Sequence, residues 1–186
     1  MICAGIDLSL TSPAICINLN EEHFDYECCM FKYLTDQPRR ICTYEKFNGT
    51  LFPEYGSQYE RYQNISRWVI NSLDYYGIRS VFLEDYSYGS TGRVFHIAEN
   101  TGILKYILWQ NNINLITIPP TVVKKIATGK GNANKELMQS AFVMETNVDL
   151  KSMLGLSAKQ WNPSSDLIDS YYICKYGALQ YEKRVD

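Results

Sequence analysis

Apolar residues run almost unbroken from Ile2 to Ile6 and stop at Asp7, and a second apolar run, Ala14 to Leu19, follows the polar stretch Ser9 to Pro13. Short apolar runs bounded by turn residues predict buried strands. A third strand is expected over Phe24 to Tyr33, after a hairpin turn at Asn18 to Glu22, and strands so close in sequence pair antiparallel. From Thr35 to Gly56 no period holds, and Pro38, Asn48, Gly49, Pro53 and Gly56 interrupt the chain. That pattern predicts a long loop with room for a small hairpin. Tyr59, Tyr62, Ile65, Val69, Leu73 and Tyr76 then recur at helical spacing, giving an amphipathic helix over Ser57 to Tyr76 with Gly77 as its stop. Arg79 to Glu84 reads as a buried strand ending in an acid, Tyr86 to Gly92 as a Tyr/Gly/Ser loop, and Val94 to Asn111 as a second helix. Ile113 to Ile118 is a fifth strand, stopped by Pro119 and Pro120. Helical segments over about Thr121 to Ala127 and Ala133 to Glu145 flank Gly129, Lys130 and Gly131, and a last helix runs from about Pro163 to Tyr181.

This order predicts an α/β fold in one domain spanning residues 1–186: a five-stranded mixed sheet, three antiparallel strands and then parallel ones, flanked by helices. A right-handed crossover puts the fourth strand parallel to the first and beside it. Asp7 and Glu84 then end neighbouring strands on the same edge of the sheet.

Composition narrows the chemistry. Hydrophobic content of 46% and charged content of 20% are ordinary for a globular protein, and no apolar run reaches the roughly 18 to 20 residues of a membrane span. The first residues lack a basic start and a small-residue cleavage site, so a cytoplasmic location is expected. The six cysteines form no CxxC pair and sit mostly in apolar runs, which favours core thiols over disulfides or zinc. Two histidines supply little for a His-based metal site or a Ser/His/Asp triad, so carboxylates must carry any metal. The net charge of −2 argues against coating nucleic acid by bulk charge, yet Thr121 to Lys135 holds Lys124, Lys125, Lys130 and Lys135 with no acid among them.

The last helix begins WNPSSDLID, where Asn162 can cap, Pro163 suits the first helical position, and Asp166 and Asp169 share one face. Acids near a helix start commonly just complement the macrodipole. Together with Asp7 and Glu84 they make four carboxylates that would repel one another in a half-buried cleft unless divalent cations stood between them. Oxygen-only, anionic ligands suit magnesium or manganese, and two such ions roughly 3.5 to 4 Å apart can drive phosphodiester hydrolysis. A glycine-containing turn flanked by lysines, at Gly129 to Lys135, likewise offers backbone N–H groups and ammonium charge to phosphate, or forms a plain solvated helix face.

GIDLSLTS, the strand-end acid of VFLEDY, VKKIATGKGNANK and NPSSDLID together resemble, in order over nearly the whole chain, the RuvC family of Holliday junction resolvases within the ribonuclease H-like superfamily. The GRVFHIAENTG segment looks more like the phage-encoded members, which would place the protein in a host cytoplasm. The resemblance implies that Asp7, Glu84, Asp166 and Asp169 are the catalytic, metal-binding acids, holding two magnesium ions per subunit, with manganese able to substitute. It implies a homodimer that nicks opposing strands of four-way or other branched DNA, with no membrane association. Lys124 and Lys135 fall where the family places lysines that contact DNA phosphate or support the site, and Gly129 and Gly131 match the glycines between them. Lys125, Lys130 and Arg93 are further DNA-binding candidates, and Tyr86 or Tyr88 either resembles an aromatic wedge that stacks on unpaired bases, an interaction worth roughly 1–3 kcal/mol per base, or serves core packing or a dimer contact. Thr35 to Gly56 has no counterpart in the family.

Three other readings share these features. A ribonuclease H-like nuclease on RNA:DNA hybrid or structured RNA would use the same acids. An actin-like or sugar-kinase-like ATPase would share GIDLS, but 186 residues leave no second lobe. A noncatalytic binder of branched DNA could keep the scaffold, although an empty carboxylate cluster destabilises the fold that holds it.

Overall fold

The structure, a computed structural model, describes residues 2–85 and 94–185, with side chains up to residue 180. Seven strands form one sheet: β1 (Cys3–Asp7), β2 (Ala14–Asn18), β3 (Cys29–Thr35), β4 (Thr43–Tyr44), β5 (Phe47–Leu51), β6 (Ser80–Glu84) and β7 (Asn114–Ile118), in the order β4-β5-β3-β2-β1-β6-β7. As expected, β1, β2 and β3 pair antiparallel, β1 pairs parallel with β6, and β7 pairs parallel with β6. The expected five strands are corrected to seven. The segment read as a long loop contains the hairpin β4–β5, and β5 adds to β3 in parallel. Buried Tyr33 on β3 causes this: its hydroxyl donates to the Arg40 carbonyl at 2.7 Å and accepts from the Cys42 N–H at 2.9 Å, and its ring lies over Gly49. The third strand also starts later than expected, because Asp25 caps a 3-10 turn over Tyr26–Cys28.

The helices are α1 (Gln58–Tyr75), α2 (Val94–Gln110), α3 (Pro120–Thr128), α4 (Lys135–Thr146), the single turn α5 (Leu150–Met153) and α6 (Ser164–Val185). Strand alternation sorts the core into two layers. On β1, Ala4 and Ile6 join Ile15, Ile17, Val81 and Leu83 under α1 and α2. Cys3 faces the other way, into the layer built with Phe31, Phe82, Phe142, Tyr171 and α6. The cysteines are all free, and Cys3, Cys16, Cys29 and Cys174 are buried, as expected of core thiols. Among the described residues no helix is long and apolar enough to cross a membrane.

Gly5 sets the distance between sheet and helix. A Cβ built on it would stand 2.2 Å from the Cys174 backbone nitrogen and 2.4 Å from the Ser170 carbonyl oxygen, so β1 and α6 touch backbone to backbone. One turn further along α6, Gly177 lies equally close against the Phe82 ring of β6. The helix is thereby pressed across β1 and β6, whose last residues are Asp7 and Glu84.

Candidate active site

By the two-residue period of a strand, Asp7 shares a face with Cys3 and Gly5, and Glu84 shares one with Phe82, so both acids point toward the α6 side. The parallel register pairs Gly5 with Phe82 and Ile6 with Leu83, which brings the next residues, Asp7 and Glu84, alongside each other. On α6, Asp166, Asp169, Ser170 and Cys174 follow at helical spacing, and the last two touch Gly5. Helix and strands therefore deliver all four acids to one place.

Asp7, Glu84 and Asp169 line a cavity of about 760 Å³ together with Lys124 of α3 and Lys135 of α4. Asp166, 7% exposed, lies behind that wall, where it accepts a hydrogen bond from Ser12 and feels the charge of Asp7. Burial pushes the Asp7 carboxyl well above the usual range, and the charges of Asp166, Asp169 and Glu84 push it further. Burial also raises Glu84 to about 7, against the pull of Lys124. It raises Asp169 to about 8, reinforced by Glu84 and Asp166 and opposed by Lys135 and Lys124. Asp166 stays lower, at about 6, because the Ser12 hydroxyl, Lys135 and Asp7 offset its burial.

With Asp85 and Glu136 also on the wall, carboxylates outnumber the two ammonium groups of Lys124 and Lys135, and divalent cations would offset the excess negative charge when all are ionised. The donor atoms are all carboxylate oxygen, the set that hard cations take. Among the described residues no three such side chains already stand in metal-ligating geometry.

Other expectations sort differently. Lys125 and Lys130 are exposed and do not line the cavity. Tyr86, Tyr88 and Arg93 lie outside the described residues. The side chain of Asn162, expected as a helix cap, hydrogen-bonds to the hydroxyls of Ser12 and Ser165.

No protein-family model matches the sequence. Solved structures do match it. Thermus thermophilus RuvC in complex with a Holliday junction substrate aligns with 99% of this chain and 96% of its own, at 18% identity and a TM-score of 0.64. The structure titled Thermus thermophilus RuvC aligns over 99% and 97% with a TM-score of 0.61, again at 18% identity. The chain has the RuvC fold. A fowlpox virus resolvase in complex with Holliday junction DNA matches more distantly, at 18% identity and a TM-score of 0.52 over 100% and 99% of the two chains.

Within this RuvC fold, sequence reasoning missed several residues at the site. Trp161 lines the cavity, with the Lys151 ammonium 3.9 Å above its ring, and Asp85 adds an acid to the wall beside Glu84. Ser12 and Asn162 meet across 150 positions of sequence, and no local pattern announces such a contact.

Raised carboxyls make the metal-free protein sensitive to alkali. Unfolded carboxyls lose their protons near pH 4, whereas Asp166, Glu84 and Asp169 hold theirs to about 6, 7 and 8. Between those limits the folded state binds more protons, so its stability falls as pH rises, and below pH ~4 the difference vanishes. In EDTA the melting temperature should fall from pH 5 to pH 8, and millimolar magnesium at pH 8 should raise it by about 3 °C or more. Scanning fluorimetry across that range checks both signs.

Proposed function

We propose that this protein is a metal-dependent endonuclease that resolves four-way DNA junctions and acts on other branched DNA. The observation that carries the reading is the convergence of Asp7, Glu84, Asp166 and Asp169 with two lysines at one cavity, in a fold shared with resolvases solved on junction DNA. The donor chemistry suits two magnesium ions per subunit, with manganese able to replace them.

Asp7, Glu84 and Asp169 would hold the cations from the cavity wall and Asp166 from behind it. Cations held there would supply Lewis acidity that lowers the pKa of an attacking water and offsets charge on the leaving oxygen. Lys124 and Lys135 draw the phosphate to the acids and balance its charge, while exposed Lys125 and Lys130 take flanking phosphates. The attacking water gives up a proton to solvent as its oxygen bonds to phosphorus, one bridging P–O bond breaks, and the leaving oxygen is protonated from solvent.

A homodimer fits the two-fold symmetry of a four-way junction. Support comes from α2, where Phe95, Tyr106 and Trp109 are exposed at helical spacing around Gly102, whose surroundings are open. The Tyr106 and Trp109 rings stack at 6.0 Å and present one apolar face, suited to a second copy of the same helix.

The test is a denaturing-gel assay with magnesium on a mobile-core four-way junction, a fork, a linear duplex and an RNA:DNA hybrid. Paired nicks at symmetric positions in opposed junction strands are expected, with little cutting of the duplex. Cutting of the hybrid alone would move the protein to the ribonuclease H-like reading, and no cutting of any substrate would leave a binding protein.

A further inference from the structure

A chain of hydrogen bonds with a fixed direction ends on Asp166. The Lys135 ammonium, which can only donate, points to the Ser165 hydroxyl at 3.4 Å. The Ser165 hydroxyl donates to the side-chain Oδ1 of Asn162 at 3.3 Å, and the side-chain Nδ2 of Asn162 donates to the Ser12 hydroxyl oxygen at 2.9 Å. Ser12 has one hydrogen. With its oxygen already accepting from an amide that cannot accept in return, that hydrogen goes to Oδ2 of Asp166. Ser12, 3% exposed, is itself held in the turn between β1 and β2, where its N–H donates to the Ser9 hydroxyl at 3.2 Å.

We propose that Ser12, oriented by Asn162, is a positioning residue that fixes the Asp166 carboxylate for cation binding. This rests on the metal-dependent reading above. One oxygen of Asp166 is anchored by Ser12, which sets the plane of the carboxylate and the direction of its remaining lone pairs. The anchor joins the hairpin after β1 to the start of α6, so it also ties the two elements that carry Asp7 and Asp166. Partners of this kind around metal ligands typically matter by about 10–100-fold in metal affinity or activity.

The measurement is Mn2+ binding to the full chain without DNA, by titration calorimetry at pH 8, on wild type, Ser12→Ala, Ser12→Thr, Asn162→Ala and Asp166→Asn. Melting curves in EDTA accompany each to confirm folding. Ser12→Ala should weaken Mn2+ binding by about 10-fold or more, Asn162→Ala by less, and Ser12→Thr, which keeps the hydroxyl, should stay near wild type. Wild-type affinity in folded Ser12→Ala, or tighter binding, would overturn the positioning role while leaving the metal site intact. If Ser12→Ala does not fold, unchanged affinity in folded Asn162→Ala overturns it instead. Wild type that binds no Mn2+, like Asp166→Asn, would overturn the metal reading and this inference together.

Discussion

Asp7→Asn is expected to fold and to lose junction cleavage by about 10³-fold or more, which corresponds to ~4 kcal/mol of transition-state stabilisation. The substitution keeps the shape of the side chain at the end of β1, so neither the strand nor its contact with α6 is disturbed. What it removes is the carboxylate most crowded by the other three. The same crowding predicts a second effect of opposite sign. The buried Asp7 carboxyl resists ionisation in the folded protein, so at pH 8 it counts against folding in the absence of metal, and a neutral amide does not. The melting temperature of Asp7→Asn in EDTA should therefore equal or exceed that of wild type, while magnesium should stabilise it less. Gel assay and melting curves on one preparation separate the two. A variant that still cuts at the wild-type rate would remove Asp7 from the chemistry.

Gly5→Ala is expected to do the reverse, damaging the fold and through it the site. Its methyl group would stand 2.2–2.7 Å from the Cys174 nitrogen, the Ser170 oxygen and the Cys174 Cα, all of them helix backbone. No rotamer change relieves a clash with backbone, so α6 must lift away from β1. Overpacking of this kind costs about 3 kcal/mol or more, or roughly 6–12 °C in melting temperature for a domain of this size. Lifting α6 also draws Asp166 and Asp169 away from Asp7, so residual folded protein should bind Mn2+ poorly. A melting curve within about 1 °C of wild type would show that the contact between strand and helix is looser than the structure gives.

Legibility in the sequence followed how local each signal was. The acids could be found because each closes a short apolar run or opens a helix, and because strand parity then dictates the face each presents. The strand β5 could not: of FNGTL only Phe47 and Gly49 are buried, and it is a strand only because β3 lies beside it. Lys124 and Lys125 are neighbours in an identical chemical context, and only the helix phase set by buried Val123 sends one to the cavity and the other to solvent. Ser12 and Asn162 are ordinary turn residues until α6 is in place.

The close approach of β1 and α6 also has a temporal side. Asp7 leaves the ribosome long before Asp166 and Asp169, and the bare face of Gly5 waits for a helix not yet synthesised. Both parallel-sheet pairing and this last docking join distant parts of the chain, contacts that form late and slowly in folding. A nascent chain therefore carries only half of the carboxylate cluster, Asp7 and Glu84 without Asp166 and Asp169. The acids of the first strand and of the last helix thus come together only when the whole chain has been made and α6 has docked.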